Sequence, residues 1–559
     1  MDKRWEVKES KLEIVKQLAK DLNVSEIVAH LLVLRSIETF DKAKLFFRPD
    51  LADLNDPFLM KDMRQAVARI EMAINKNQKI LVYGDYDVDG TTSVAMMYSF
   101  LKRFNNNIDY YIPCRYDEGY GISLKGIDYA CENSFSLIIA LDCGIRAIEQ
   151  IDYANKRDID FIICDHHTPS DKTPNAIAVL NPKQFDCHYP YKELSGCGVG
   201  FKLIQAYCIK NNISFDQIIE YLDLVTVSIA ADIVPLNEEN RVLSFYGLKQ
   251  INSKPRVGLE ALMSTFNKAK KLTMSDLVFK IAPRINASGR IDHAKKAVDI
   301  LVEEDYDRAK LFAKEIEAHN NSRKDLDQSI TKEAIEMIDE NKKSTVVFSK
   351  KWHKGVVGIV ASRLIEMHYK PTIVLVEIDG VLTGSARSVH DFNLYEAISK
   401  CSHLCEKFGG HKYAAGLSVK KENLNAFIEA FEIAVAEKIT KDQLKPKIEV
   451  DMEIDINDID EKLYRIIKQF APFGPLNASP VFISKGIIDN GYGKKLGSDK
   501  SHLRINAKNS RGSIPGIGFR LGGEFEKIKD SQEFDICYSI QENEWNGRKK
   551  LQLMLLDIK

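Results

Sequence analysis

Leu81-Val82-Tyr83-Gly84-Asp85-Tyr86-Asp87-Val88-Asp89-Gly90 is a short apolar run that breaks into three alternating aspartates. The pattern recurs twice. Leu137-Ile138-Ile139-Ala140-Leu141 runs into Asp142-Cys143-Gly144, and Phe161-Ile162-Ile163-Cys164 runs into Asp165-His166-His167. Each run has the length and β-branching of a buried strand, and helix-like stretches separate them. That alternation predicts a parallel sheet, in which ligands bind beyond the carboxyl ends of the strands. The three acidic clusters then converge on one edge. Carboxylates crowded there repel each other unless cations sit between them, and oxygen donors with an imidazole suit Mn²⁺ or Mg²⁺. A loop that caps a helix and solvates itself accounts for one such cluster but not for three in register. The reading is a metal-dependent phosphoesterase.

The chain has 559 residues, too many for one core, and divides into three or four domains. Its mean hydropathy is −0.24, and no apolar run approaches the ~20 residues that span a bilayer. The start, Met1-Asp2-Lys3-Arg4-Trp5, lacks the apolar stretch of a secretory signal, so no membrane and a cytoplasmic location are expected. Ten cysteines without a CxxC pair read as reduced thiols. Cys401-Ser402-His403-Leu404-Cys405 has helical spacing and no partner pair, which argues against zinc. A net charge of −1 does not advertise nucleic acid. Between Asn490 and Arg520, however, Lys494, Lys495, Lys500, Arg504, Lys508, Arg511 and Arg520 face a single acid, Asp499. Such a stripe neutralises phosphates or is a solvated face.

Periodicity divides the chain further. Residues 1–75 read as a helical segment that buttresses the next domain, with Leu18, Leu22, Ile27, Leu31 and Leu32 inward. Residues 76–250 carry the acidic clusters. A helical region, 251–340, holds a loop from Arg284 to Arg290 and ends in a long connecting helix between Asp305 and Ile338. A second α/β unit is expected over 341–440, and short strands with Gly and Asn turns over 445–559 suit an OB-fold barrel. The fold class is therefore α/β, with a parallel-sheet domain and a second α/β domain joined by a long helix, followed by an all-β domain.

Asp165-His166-His167 and its companions resemble the DHH phosphoesterase superfamily, and within it the RecJ single-strand-specific exonucleases. The similarity extends through Ser195-Gly196-Cys197-Gly198-Val199-Gly200, Ala231-Asp232-Ile233-Val234-Pro235, Pro283-Arg284-Ile285-Asn286-Ala287-Ser288-Gly289-Arg290, Trp352-His353-Lys354-Gly355-Val356-Val357-Gly358, Gly384-Ser385-Ala386-Arg387-Ser388 and Gly409-Gly410-His411-Lys412-Tyr413. These motifs span most of the chain, in order. The resemblance makes 76–250 the DHH domain and 341–440 the DHH-associated domain.

It also implies roles. Asp87, Asp89, Asp142, His166 and Asp232 would hold two ions, Mn²⁺ or Mg²⁺, with Asp142 between them. His167 would contact phosphate or handle protons, and Asp85 is either a ligand or an acceptor behind one. Several relatives have a histidine where this chain has Tyr83. Arg284 resembles a donor to the scissile phosphate, with a loop-capping role as the alternative. Arg115, Ser385 and Arg387 match positions expected to hold a 5′ phosphate. Tyr120 stacks on a base or packs in a core, and Asn286, Arg290, His411, Lys494, Lys495 and Arg504 are expected along the nucleic acid.

The implied activity is a 5′ to 3′ exonuclease on single-stranded DNA in repair and recombination, releasing 5′-mononucleotides. It would act as a monomer, with a helicase and a single-strand binding protein as possible partners. A small-substrate phosphoesterase of the same superfamily is disfavoured by the extra barrel. A degenerate strand-binding scaffold is disfavoured by the intact ligand set.

Overall fold

The structure is a computed structural model that describes residues 2–267, 271–291, 293–529, 532–545 and 547–559. Two compact units divide the chain: Thr39–Asn321 with Phe470–Ser479, and Met1–Glu38 with Ser322–Gln469 and Pro480–Lys559. Strands are β1 (Arg4–Val7), β2 (Ile80–Gly84), β3 (Ile108–Tyr111), β4 (Leu137–Leu141), β5 (Asp160–Cys164) and β6 (Ala178–Leu180). There follow β7 (Thr345–Ser349), β8 (Thr372–Ile378), β9 (Val381–Arg387), β10 (Cys405–His411), β11 (Ala414–Lys420), β12 (Lys447–Val450) and β13 (Met452–Glu453). The last are β14 (Phe482–Asp489), β15 (Lys494–Leu496), β16 (His502–Lys508), β17 (Ser513–Gly518), β18 (Phe534–Trp545) and β19 (Arg548–Ile558).

In the first unit a parallel sheet runs β3-β2-β4-β5-β6. Alternation sends Val82 and Ile139 to one core, and Leu81, Tyr83, Ile138, Ala140 and Phe161 to the other, so both faces are covered. Register places Gly84 beside Leu141, and Leu141 beside Cys164. The residues that follow, Asp85, Asp142 and Asp165, therefore leave adjacent strands at one level. The helices of this unit include Gly196–Lys210, Leu222–Ala231, Glu238–Ser253 and Ala282–Ile291. Arg241 Nη1 donates to Phe470 O at 2.7 Å, which ties the short segment Phe470–Ser479 to it.

The expected loop at Arg284–Arg290 is a helix. Pro283 cannot donate a backbone hydrogen bond and crowds the carbonyl four residues back. The wider π-helical turn Leu277–Ile281, in which Ala282 N donates to Leu277 O, immediately precedes it and accommodates the ring.

The long helix Tyr306–Glu336 joins the units, near the expected bounds. In the second unit a mixed sheet runs β10-β11-β9-β8-β7, and a seven-stranded sheet runs β13-β14-β18-β19-β17-β16-β15 with β14 also pairing β16. Of the N-terminal segment 1–75, residues 39–75 belong to the first unit and residues 1–38 to this one. Helical periodicity exposes an apolar stripe without naming what covers it. Here β1 pairs in parallel with β12, Trp5 Nε1 donates to Asp557 Oδ2 at 2.7 Å, and His30 Nε2 lies 3.0 Å from Asp451 O. Among the described residues no helix is long and apolar enough to cross a membrane.

Candidate active site

Beyond β2 the chain turns into the helix Val88–Leu101, which Asp87 caps by accepting from Gly90 N at 2.9 Å. Asp89, one residue inside that helix, is buried at the start of another. It accepts from Gly196 N at 2.7 Å, Cys197 N at 2.8 Å and Ser228 Oγ at 2.7 Å. Two of these donors lie at the start of the helix Gly196–Lys210, and together they fix the position of the Asp89 side chain.

Asp142 lies in the left-handed region, φ 59°, which Asp tolerates better than most residues. A Cβ built on Gly196 would stand 2.6 Å from Asp142 Oδ1, so only glycine lets this helix start so close. Asp165 faces inward and works on its neighbours. Its Oδ1 accepts from His166 N at 2.7 Å and His167 N at 3.0 Å, and lies 2.7 Å from His167 Nδ1; Oδ2 accepts from Ile145 N at 2.9 Å. Burial alone would lift the Asp165 carboxyl, yet the His167 and Ile145 hydrogen bonds hold it below the usual range. In return Asp165 raises His167 against the effect of burial.

His166 Nε2 is the meeting point: Asp142 Oδ1 at 3.2 Å, Asp232 Oδ2 at 3.5 Å and Asp89 Oδ2 at 3.7 Å. Two overlapping donor groups result, Asp142 with His166 and His167, and Asp89 with His166 and Asp232, each with donor atoms within 4.8 Å of one another. As placed, Asp85 and Asp87 are in neither group. Both His166 nitrogens, Asp142 Oδ1 and Asp85 Oδ2 are buried without hydrogen-bond partners among the described residues. Burial, with Asp87 beside it, pushes Asp85 up to about 8; burial, with Asp89 and Asp87, pushes Asp232 up to about 8. Burial lifts Asp142 well above the ordinary range and keeps His166 neutral. Acids that cannot all ionise together, beside unpartnered oxygens and a neutral imidazole, fit hard divalent cations.

Asp87, Asp89 and Asp232 also line a cavity of about 330 Å³, opposite Arg115, Asn286 and Arg290, with Tyr86 and Tyr120. The Arg115 guanidinium lies 4.2 Å over the Tyr86 ring. Tyr120 is 55% exposed, so it is not a core tyrosine, and its Oη lies 3.3 Å from His167 Nε2. Asn286 and Arg290 are four apart on one helix and share a face. Arg284, two residues from Asn286, points elsewhere. It donates to Thr265 Oγ1 at 2.9 Å and Lys280 O at 2.6 Å, pairs with Glu317 at 2.6 Å and stacks over Phe266. The expectation of a donor to the scissile phosphate therefore gives way to a packing role, because helical geometry separates residues 284 and 286 by more than half a turn.

Tyr83 is fully buried on the far face of β2, donates to Gly121 O at 3.0 Å, accepts from Ser123 N at 3.1 Å and stacks on Tyr111. It is no ligand. Sequence reasoning missed Ser228, which has no motif signal; Gly196 and Cys197 were signalled only by the glycine-rich stretch after Ser195.

In the second unit, Ser385 and Arg387 are alternate residues at the end of β9. His411 ends β10, exposed, with its Nδ1 accepting from Tyr413 N at 3.3 Å. Lys494 and Arg504 are register partners on β15 and β16, both exposed; Lys495 lies over the Phe525 ring. Arg511 is occupied by Asp455.

Three family models match: the DHH family, N-terminal domain, over residues 79–229; the DHHA1 domain over 341–437; and the RecJ OB domain over 450–557. The single-stranded-DNA-specific exonuclease RecJ of Bacillus subtilis (strain 168) is 37% identical over 564 residues, covering 99% of this chain and 70% of that protein. Its namesake in Escherichia coli (strain K12) is 31% identical over 528 residues, covering 89% and 90%. Among solved structures, RecJ in complex with Mn²⁺ from Thermus thermophilus superposes with a TM-score of 0.86 at 26% identity, covering 100% of this chain and 79% of that one. An exonuclease RecJ bound to manganese gives a TM-score of 0.61 at 31% identity, covering 70% and 98%.

Proposed function

This chain belongs to the RecJ family of single-stranded-DNA-specific exonucleases, and we propose that it is a metal-dependent 5′ to 3′ exonuclease that hydrolyses single-stranded DNA to 5′-mononucleotides. The observation that carries the proposal is the meeting of Asp89, Asp142, His166 and Asp232 around unpartnered buried atoms at the edge of a cavity lined by arginines.

Asp89, Asp142, His166 and Asp232 would hold two ions, Mn²⁺ or Mg²⁺, with Asp87 and Asp85 completing their surroundings. Bound there, the ions supply an acidified water and neutralise charge on the scissile phosphate. The chain's own groups do the rest. Gly196 N, Cys197 N and Ser228 fix the Asp89 carboxylate, and Asp165 fixes the tautomer of His167 so that Nε2 faces outward to phosphate or proton. Arg290 and Asn286 take backbone oxygens along the cavity, while Tyr120 offers a face for a base. Arg115, Ser385 and Arg387 are assigned to the 5′ phosphate, and His411, Lys494, Lys495 and Arg504 to the strand beyond. The segments 1–75, 76–250, 251–340, 341–440 and 445–559 are the domains of this reading. A monomeric, cytoplasmic protein working in repair and recombination, behind a helicase and beside a single-strand binding protein, completes it.

The test is product analysis with Mn²⁺ or Mg²⁺ on 5′-labelled and 3′-labelled single strands, duplex and short RNA. Mononucleotides released first from the 5′ label of single-stranded DNA are expected. Release from the 3′ end, or from duplex at equal rate, would overturn the reading.

A further inference from the structure

Ser385 and Arg387 project from the same side of β9, where the helix Val357–His368 packs. Gly358 is the second residue of that helix. A Cβ built on it would stand 3.1 Å from Arg387 Nη2 and 3.2 Å from Ser385 Oγ, closer than side chains ordinarily approach. Its backbone is not in the left-handed region, so conformation does not require glycine there. Alanine is the better helix former, and glycine in a helix costs stability. Space is what the glycine provides. The Arg387 guanidinium, half-buried, has its pKa lowered by burial with no carboxylate to offset it. Among the described residues it makes no ion pair, and Nη1 donates to its neighbour's carbonyl, Ala386 O, at 2.9 Å. A partly desolvated cation beside a free hydroxyl lacks the anion that would balance it.

We propose that Gly358 is a positioning residue for end specificity: its missing side chain leaves the room in which Ser385 Oγ and Arg387 Nη2 close on the terminal phosphate of a 5′-phosphorylated strand. The inference rests on the assignment of Ser385 and Arg387 to that phosphate. A methyl group at residue 358 pushes the guanidinium and the hydroxyl apart, without touching the reacting atoms.

The experiment compares kcat/KM on 5′-phosphate and 5′-hydroxyl single strands of one sequence, for the full chain and for Gly358→Ala. The preference for phosphate is expected to fall about tenfold, the loss of one charge-assisted hydrogen bond, and to fall through KM. The melting temperature should hold or rise, because alanine favours the helix. In an Arg387→Ala background the same substitution should shift the preference no further. An unchanged preference in folded Gly358→Ala, or equal loss on both substrates, overturns the inference while Ser385 and Arg387 keep their assignment. Absence of any phosphate preference in the unsubstituted protein overturns that assignment and the inference with it. Should Gly358→Ala fail to fold, Gly358→Ala combined with Arg387→Ala decides. Recovery would show that the two side chains compete for one space, and continued failure would reduce Gly358 to a packing residue.

Discussion

Asp165 Oδ1 and His167 Nδ1 are 2.7 Å apart, and the same oxygen also accepts the His166 and His167 backbone N–H groups. One buried carboxylate therefore orients the His167 ring and anchors the backbone of both histidines while standing outside the donor groups itself. Asp165→Asn keeps the shape but can turn an NH₂ toward Nδ1, which moves the imidazole proton to Nε2. Activity and apparent Mn²⁺ affinity should each fall about 10- to 100-fold, with little change in circular dichroism. Wild-type kinetics in this variant would rule out the positioning role.

Asp142→Ala removes the carboxylate nearest His166 Nε2. Cleavage should be abolished, with the fold retained, because Asp142 supplies the buried, unpartnered oxygen of its donor group and no neighbouring group replaces it. In thermal melts the rise in Tm that Mn²⁺ gives the unsubstituted protein should shrink or vanish. Cleavage at near wild-type rate would remove Asp142 from the site.

Metal removal should show in the pH dependence of stability. Asp85 and Asp232 are pushed up to about 8 in the folded, metal-free protein, far above ordinary carboxyl values in the unfolded chain. Between those limits the folded state holds more protons, so its stability is greatest at low pH and declines as pH rises toward 8. Melts in chelator should follow this decline from about pH 5 to 8, and saturating Mn²⁺ should flatten it. A chelated protein with Tm constant across that window would show that these carboxyls are ionised without metal.

Arg387→Ala should cost roughly 1.5 to 3 kcal/mol of selectivity for 5′-phosphorylated over 5′-hydroxyl strands. Competition between the two substrates in one reaction measures this directly. Equal loss on both would make Arg387 a folding residue.

Lys494 and Arg504 oppose each other on exposed positions of β15 and β16. If each neutralises a phosphate, replacing both with alanine should reduce the slope of log affinity against log salt by about 1.4 on single strands. Fluorescence anisotropy of a long labelled strand, between low and moderate salt, reads that slope. An unchanged slope would leave this face to solvent.

The sheet and its acidic edge were legible because β2, β4 and β5 are buried on both faces and end in chemistry. Continuous apolar runs and polar strand ends are local signals. What supports Asp89 was not local. Ser228 lies 139 residues away, in the middle of a helix, with nothing in its neighbourhood to distinguish it from other serines. The Arg284 to Arg290 stretch reads as a loop but folds as a helix, because a π-turn upstream absorbs Pro283. Arg284 faces away from Asn286 because side-chain direction in a helix follows its phase. Ser385 and Arg387 were recognised from their motif, while the space that Gly358 keeps for them appears only when a helix is laid on a strand.

Residues 4–7 leave the ribosome roughly 440 residues before β12, their pairing partner. At the usual pace of translation that is a wait of roughly 20 to 90 s, during which Thr39–Asn321 can collapse around its own core. Arg241 waits likewise for Phe470. During that interval β1 is an unpaired strand that invites foreign strands. Messages truncated upstream of Lys447 would yield products that keep the acidic strand ends of the first unit yet never close their first strand, natural clients for chaperones and proteases.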